Sequence, residues 1–183
     1  MEVLFINSDY IKRYTGLNGS VEEGYLFPYI LTAQDKNLQL YLGTALYERL
    51  KEDVADGTLA GDYKALMDNY VLKSLMWWAM VEVLPTLYVK IDNGGLVIKN
   101  APNTTPISRN DLQMQIDNAK NNALFYSNRL TDYLCDNSSL FPEFTSNTGS
   151  QITPRDNNNY AGYKISNGKK FSETKALARW TKS

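Results

Sequence analysis

The chain has 183 residues, 43% hydrophobic and 12% aromatic, with 13 Tyr, three Trp and a net charge of -1. That length suits one domain plus an appendage, and that composition can build a real core. With no His and a single cysteine, Cys135, the chain lacks the commonest general base and metal ligand and cannot form an internal disulfide or a thiolate zinc site. The expectation is a structural, non-enzymatic protein with no cofactor and no metal, assembled in a reducing cytoplasm.

The near-neutral total hides an asymmetry. Residues 1–163 carry 13 Lys/Arg against 19 Asp/Glu, a net of -6, whereas residues 164–183 carry six against Glu173 alone, a net of +5. An acidic body with a basic tail is the layout of an interaction arm. The N-terminal residues hold no basic stretch before their short apolar run, so no signal peptide is expected. The longest apolar run, residues 75–89, is broken by Glu82 and Pro85 and falls short of the ~20 residues of a membrane span.

Taken in chain order, Ser8-Asp9 predicts the start of a short helix that Gly16 ends. A second helix is predicted over about residues 22–42, with Leu26, Tyr29, Ile30, Ala33, Leu40 and Tyr41 mostly on one face. Gly43-Thr44 reads as a stop and a new start. A third helix carries Leu46, Tyr47, Leu50 and Val54 and stops at Gly57. The fourth, from about Gly61 to about Lys90, becomes apolar on all sides after Leu75, the pattern of a helix surrounded by others; Pro85 should kink it or meet a neighbour that satisfies the freed carbonyl. Leu96-Val97-Ile98 can supply one arm of a small β-hairpin, with Tyr88-Val89 or another segment as its partner. After a loop, Ser108 with Asp111 resembles a capping box. The fifth helix follows, with Leu112, Ile116, Ala119, Ala123, Tyr126, Leu130 and Tyr133 in a 4-3-4-3-4-3 seam for a near-parallel partner, either the fourth helix or a neighbouring subunit.

After Cys135 the chain turns rich in Asn, Ser, Thr and Gly. Leu140-Phe141-Pro142 and Phe144 look like an anchor, and a short strand is expected at about residues 160–165. The fold class is therefore mainly α: a helical bundle over residues 1–137, with the small hairpin, and a long extended C-terminal arm over residues 138–183. The arm is too polar to fold alone, yet it carries Tyr160, Tyr163, Phe171 and Trp180 among Lys169, Lys170 and Arg179. Aromatic and basic residues in that setting mark it as the partner-binding segment.

Candidate chemistry is sparse. The stretch from Gly57 to Lys64 has the wrong spacing for a phosphate loop and reads as a turn between helices. Glu48, Glu52, Asp53 and Asp56 cluster late in the third helix and read as a solvated face, which would line a channel if several copies surrounded one. Glu82 lies in an apolar run, where burial is costly unless it is paired; a structural ion pair with a lysine or arginine, or a position facing outward, is favoured over a catalytic carboxylate, which has no second acid or base to support it. Trp77 and Trp78 must point in different directions on a helix. Asp156 and the three asparagines after it lack the alternating ligands of a calcium loop and read as a turn.

Several segments together carry a resemblance. They are the opening Ser8-Asp9-Tyr10-Ile11-Lys12-Arg13-Tyr14-Thr15, then Pro28-Tyr29-Ile30 with Ala33-Gln34-Asp35, and the break Leu42-Gly43-Thr44 with Leu46-Tyr47. Gly57-Thr58-Leu59 with Asp62-Tyr63, Trp78-Ala79-Met80-Val81-Glu82 and Leu134-Cys135-Asp136-Asn137 complete the set. Over about residues 3–145 the chain resembles the head-to-tail connector (neck ring) proteins of tailed bacteriophages, including crAss-like phages. The resemblance implies a helical adaptor in the virion neck, assembled in the host cytoplasm as a homo-oligomeric ring, usually dodecameric, beneath the portal protein. Such a ring extends the DNA channel, lets DNA pass without sequence-specific binding, and offers a platform to further neck or tail proteins. It also implies a C-terminal arm reaching into the portal. The alternatives are another neck or tail-completion protein, or a nucleic-acid-binding module gripping phosphates with the basic tail.

Overall fold

The computed structural model describes residues 2–17, 19, 21–92, 95–98, 107–146, 152–154, 159–160 and 163–164. Helix α1 (Ser8–Tyr14) is capped by Asn7, whose side chain accepts from the Tyr10 amide. Ser8, the expected cap, lies one residue inside the helix and is buried. Helix α2 (Glu23–Ala33) runs through a π-helical turn, Gln34–Leu38, into α3 (Gln39–Leu42). The predicted second helix is thus one rod with a widened turn in it. Gly43, at φ 75°, separates α3 from α4 (Thr44–Asp56), and Gly57 closes α4 in the left-handed conformation at φ 68°.

The predicted fourth helix is likewise a rod with a π turn: α5 (Gly61–Leu66), Met67–Val71, then α6 (Leu72–Tyr88). Pro85 does not end α6, which continues to Tyr88. Near that end the Tyr25 hydroxyl donates to Thr86 O at 2.6 Å and the Thr86 hydroxyl to Val83 O at 2.7 Å. Strand β1 (Val89–Asp92) pairs antiparallel with β2 (Gly95–Ile98), Val89 opposite Ile98. Helix α7 (Arg109–Asp136) is capped by Ser108, whose hydroxyl accepts from the Asp111 amide at 3.1 Å and donates to the Asp111 carboxylate at 2.8 Å.

The protein is mainly α, and α6 is its centre, packed on α7 and α2. Leu75, Ala79 and Val83 are fully buried on α6 and meet Leu26 and Ile30 of α2 and Leu130 and Leu134 of α7 in one core cluster. Burying one such side chain stabilises by about 1.5–3 kcal/mol. Leu84 is only half-buried, so α6 is not equally enclosed all round. The partner of the α7 seam is α6, but the buried face is not the strict seam. It runs Ala119, Ala123, Ser127, Leu130, Thr131 and Leu134, while Leu112, Ile116, Tyr126 and Tyr133 are half-buried. Two polar residues enter this face because they are bonded there. Ser127 Oγ meets Ser74 Oγ at 2.7 Å and accepts from Trp78 Nε1 at 2.9 Å, and the Thr131 hydroxyl donates to Ser127 O at 3.0 Å.

A short helix, α8 (Pro142–Thr145), follows α7. Phe141 is fully buried and Phe144 nearly so. These side chains, which the sequence pattern assigns to the arm beyond residue 137, pack as part of the body. In the tail, a two-residue ladder pairs Asn159–Tyr160 with Tyr163–Lys164, where a single short strand is expected. The turn expected at Asp156 lies outside the described residues.

Candidate interaction surface

Of the four acidic residues expected on one solvated face, three share it. Glu48, Glu52 and Asp56 are exposed and recur every fourth residue, one above another on α4. Asp53 does not join them. It is buried, accepts from Arg49 Nε at 3.1 Å and from the Thr58 hydroxyl at 3.1 Å, and its carbonyl accepts from the Thr58 amide at 2.9 Å. The helix period turns residue 53 inward while 48, 52 and 56 stay outward, so Asp53 ties the C-terminus of α4 to the next turn. Glu82 pairs with Lys36 at 2.8 Å, with Asn37 Nδ2 at 3.4 Å, an ion pair between α6 and the π turn after α2. Trp78 points into the core and Trp77 onto the surface.

That π turn also seats the start of the chain. Gln34 is fully buried. Its Oε1 accepts from the Phe5 amide at 2.9 Å, and its Nε2 donates to Val3 O at 2.9 Å and to the Tyr47 hydroxyl at 3.1 Å. Tyr47 donates in turn to Asp35. Burial, and then that bond, hold the Tyr47 phenol well above the ordinary tyrosine range.

An aromatic cluster and a backbone clip fix where the arm begins. Tyr63 packs edge-on to Phe141 at 5.3 Å, and Tyr70 stacks on Tyr133 at 4.2 Å. The Tyr63 hydroxyl donates to Glu143 at 2.6 Å. Burial, that hydrogen bond and the Glu143 charge push its pKa up to about 12, against a smaller opposing effect of Arg49. Residues 152–154 then lie against the start of α4. The Thr44 amide donates to Ile152 O at 3.1 Å, and the Ile152 amide donates to the Thr44 hydroxyl at 3.0 Å. Pro154 sits over Gly43 so closely that a Cβ on Gly43 would lie 2.7 Å from its Cδ.

On α1, α6 and α7 the surface opens into two clefts. One, of about 470 Å³, is lined by Tyr10, Tyr14, Leu72, Met76, Trp77 and Tyr126 together with the charged Asp68 and Lys73. The other, of about 330 Å³, includes Thr15, Trp77, Met80, Leu84 and Asn122. Trp77 lines both, so the two clefts adjoin at its side chain, and the first is termed the furrow. Tyr14 is 57% exposed at the rim, its ring 4.7 Å from that of Tyr10. Burial, then Tyr14 and Asp68, raise the Tyr10 pKa.

Among the arm residues singled out from the sequence, Lys169, Lys170, Phe171, Arg179 and Trp180 lie outside the described residues, and Tyr160 and Tyr163 are Cα partners in the small ladder. The clip and the furrow had no signal in the sequence pattern, because each joins segments far apart in the chain. The only local hint of the clip was Gly43. Among the described residues no group of His, Cys, Asp or Glu could hold a metal ion, and no described helix is long and apolar enough to cross a membrane.

A helical body with a surface furrow and a clipped-on tail defines a class of fold rather than an activity. Residues 38–154 match DUF6712, a family of unknown function, and since that is more than half of the chain, the protein belongs to this family. The match ends at Pro154, the last residue of the clip. No curated protein matches the chain, and no solved structure does.

Proposed function

We propose that this protein is a structural adaptor: a subunit of a homo-oligomeric ring at the head-to-tail junction of a tailed bacteriophage. In this reading the ring, of dodecameric order, sits beneath the portal protein, extends the DNA channel without reading sequence, and carries the next neck or tail component. Beyond the small hairpin, the segment after the clip serves as an extended docking arm.

The observation that carries the reading is the clip. Ile152–Pro154 are held on Gly43 and Thr44, so the 29 residues that follow leave the body from a fixed point. They hold Tyr160, Tyr163, Phe171 and Trp180 and carry a net charge of +5, from seven Lys/Arg against Asp156 and Glu173. Aromatic anchors on a tethered polar segment suit coupled folding and binding, in which anchors entering partner pockets offset the ordering cost. The exposed row of Glu48, Glu52 and Asp56 suits a channel wall, since like charge keeps DNA phosphates from adhering.

Imaging of the particle neck tests this: the chain should form one ring against the portal, with those three carboxylates facing the lumen. Particles assembled with a chain lacking residues 155–183 should lose it from the neck. Normal occupancy of the truncated chain would refute the docking role. A free monomer that binds DNA with a steep salt dependence would instead favour a nucleic-acid module.

A further inference from the structure

We propose that the furrow between α1, α6 and α7 is the receptor for the C-terminal arm of a second copy of this chain. The inference rests on the adaptor reading in one respect, that the chain assembles with itself.

Three features select this occupant. The first is chemistry. The furrow presents Tyr10, Tyr14, Trp77 and Tyr126 around an apolar floor of Leu72 and Met76. Flat aromatic walls favour stacked or edge-on aromatic guests, and Phe171 and Trp180 supply them. Trp is also the residue type that most often dominates binding energy when it fills a pocket.

The second is charge. Residues 1–154 hold 12 Lys/Arg against 18 Asp/Glu, a net of -6, and residues 155–183 carry +5. Attraction between opposite fields speeds encounter and disfavours wrong partners. At the furrow itself Asp68, paired with Lys64 at 3.2 Å, lines the cleft together with Lys73, so the charge match belongs to the whole body and arm rather than to the cleft.

The third is reach. The arm has 29 residues beyond Pro154, and the 19 that follow the small ladder extend to roughly 60 Å when stretched. It departs from the start of α4, an element packed on α3 and α8, whereas the furrow is built from α1, α6 and α7. The exit and the receptor therefore lie on different elements. A contact that runs from one copy's exit to the next copy's furrow is heterologous, the kind that closes into a ring when the rotation allows.

The test uses the full chain with p-benzoylphenylalanine in place of Tyr14, which is exposed enough to be changed without disturbing the core. An equal mixture of 14N- and 15N-labelled chains is irradiated at high concentration, and the crosslinked peptides are sequenced. The expected product is dimer-sized and larger, joining position 14 of one label to residues 164–183 of the other. The double substitution Phe171→Ser with Trp180→Ser should reduce it at least tenfold, with the helical circular dichroism unchanged. Peptide pairs of one label only, in a monomer-sized product, would show that each chain folds its own arm into its own furrow. That result overturns the proposal, as does a crosslink to any other segment or none at all. Absence of the chain from the virion neck would sink the adaptor reading alone, while a cross-label crosslink would still stand.

Discussion

Gly43→Ala probes the clip directly. Two independent costs meet at this residue. Its φ of 75° with ψ of 161° lies in a region that is essentially reserved for glycine, and holding another residue there costs about 1–3 kcal/mol. The new Cβ would also approach Pro154 to 2.7 Å at Cδ, 2.8 Å at Cγ and 3.2 Å at the backbone nitrogen. A proline ring and a backbone atom cannot swing aside as the end of a long side chain can. The chain must therefore let residues 152–154 go. Each of the two hydrogen bonds to Thr44 is then lost, at about 0.5–1.5 kcal/mol apiece. The total expected loss is about 2–6 kcal/mol, read as a shift of the urea midpoint at constant slope. Hydrogen exchange at the Ile152 amide should become fast at the same time. In a Pro154→Ala background the two closest ring atoms are gone and only the 3.2 Å approach to the residue 154 nitrogen is left, so the same glycine substitution should cost less than in the parent, nearer the backbone part of about 1–3 kcal/mol. A loss below about 0.5 kcal/mol with unchanged protection of Ile152 would refute the reasoning.

Leu75→Ala, at a fully buried site on α6, should cost about 2–5 kcal/mol in denaturant, and Leu84→Ala, at the half-buried rim of the second cleft, distinctly less; equal midpoints for the two would show that α6 is not the centre of the core. The Tyr63 phenol is held at a pKa of about 12 against an ordinary value of about 10, so its contribution is fully present below about pH 10 and is lost as pH rises towards about 12. Tyr63→Phe should therefore be less stable than the parent at neutral pH, for want of the bond to Glu143, and the gap should close across that window. Parallel stability curves would show that the phenol is not the coupled group.

What the sequence made legible follows from local periodicity. Leu46, Tyr47 and Leu50 on α4, the apolar α6 as the centre of the body and the Ser108 cap are set by neighbours within a turn or two, and they stand where the pattern puts them, although α6 is not enclosed on every side. Phe141 and Phe144 were legible as an anchor, because two aromatics in a polar stretch need a pocket. The π turns were not legible. Each widens the helix by the geometry of the elements around it, and with Gln34 the gain is three hydrogen bonds to Val3, Phe5 and Tyr47, segments up to 31 residues away in the chain. Ser127 broke the hydrophobic seam for the same reason: a hydroxyl is as good as a methyl inside a helix pair when Ser74 and Trp78 meet it. Asp53 shows the converse error. Counting charges along the chain grouped it with Glu48, Glu52 and Asp56, but one residue's offset turned it through about 100° and into a structural role.

The extent of the family match bears on how the two ends of the chain relate. Residues 38–154 take in α6, α7 and the clip, but neither α1 nor the arm. The furrow is therefore composite: its floor, from Leu72 to Tyr126, lies within the matched stretch, and its outer wall of Tyr10 and Tyr14 lies outside it. On the proposed contact, the segments before and after the shared stretch are the two halves of one interface, one forming the rim and the other filling it. The segment before the match is also core, through Ile11 of α1 and Leu26 and Ile30 of α2, so only its rim residues belong to the interface alone. Tyr14 is exposed at the rim, and in the proposed contact the arm meets its partner only in assembly. The body between them is constrained by packing. Gly43 is constrained by its positive φ and by the Pro154 ring that lies where a Cβ would go.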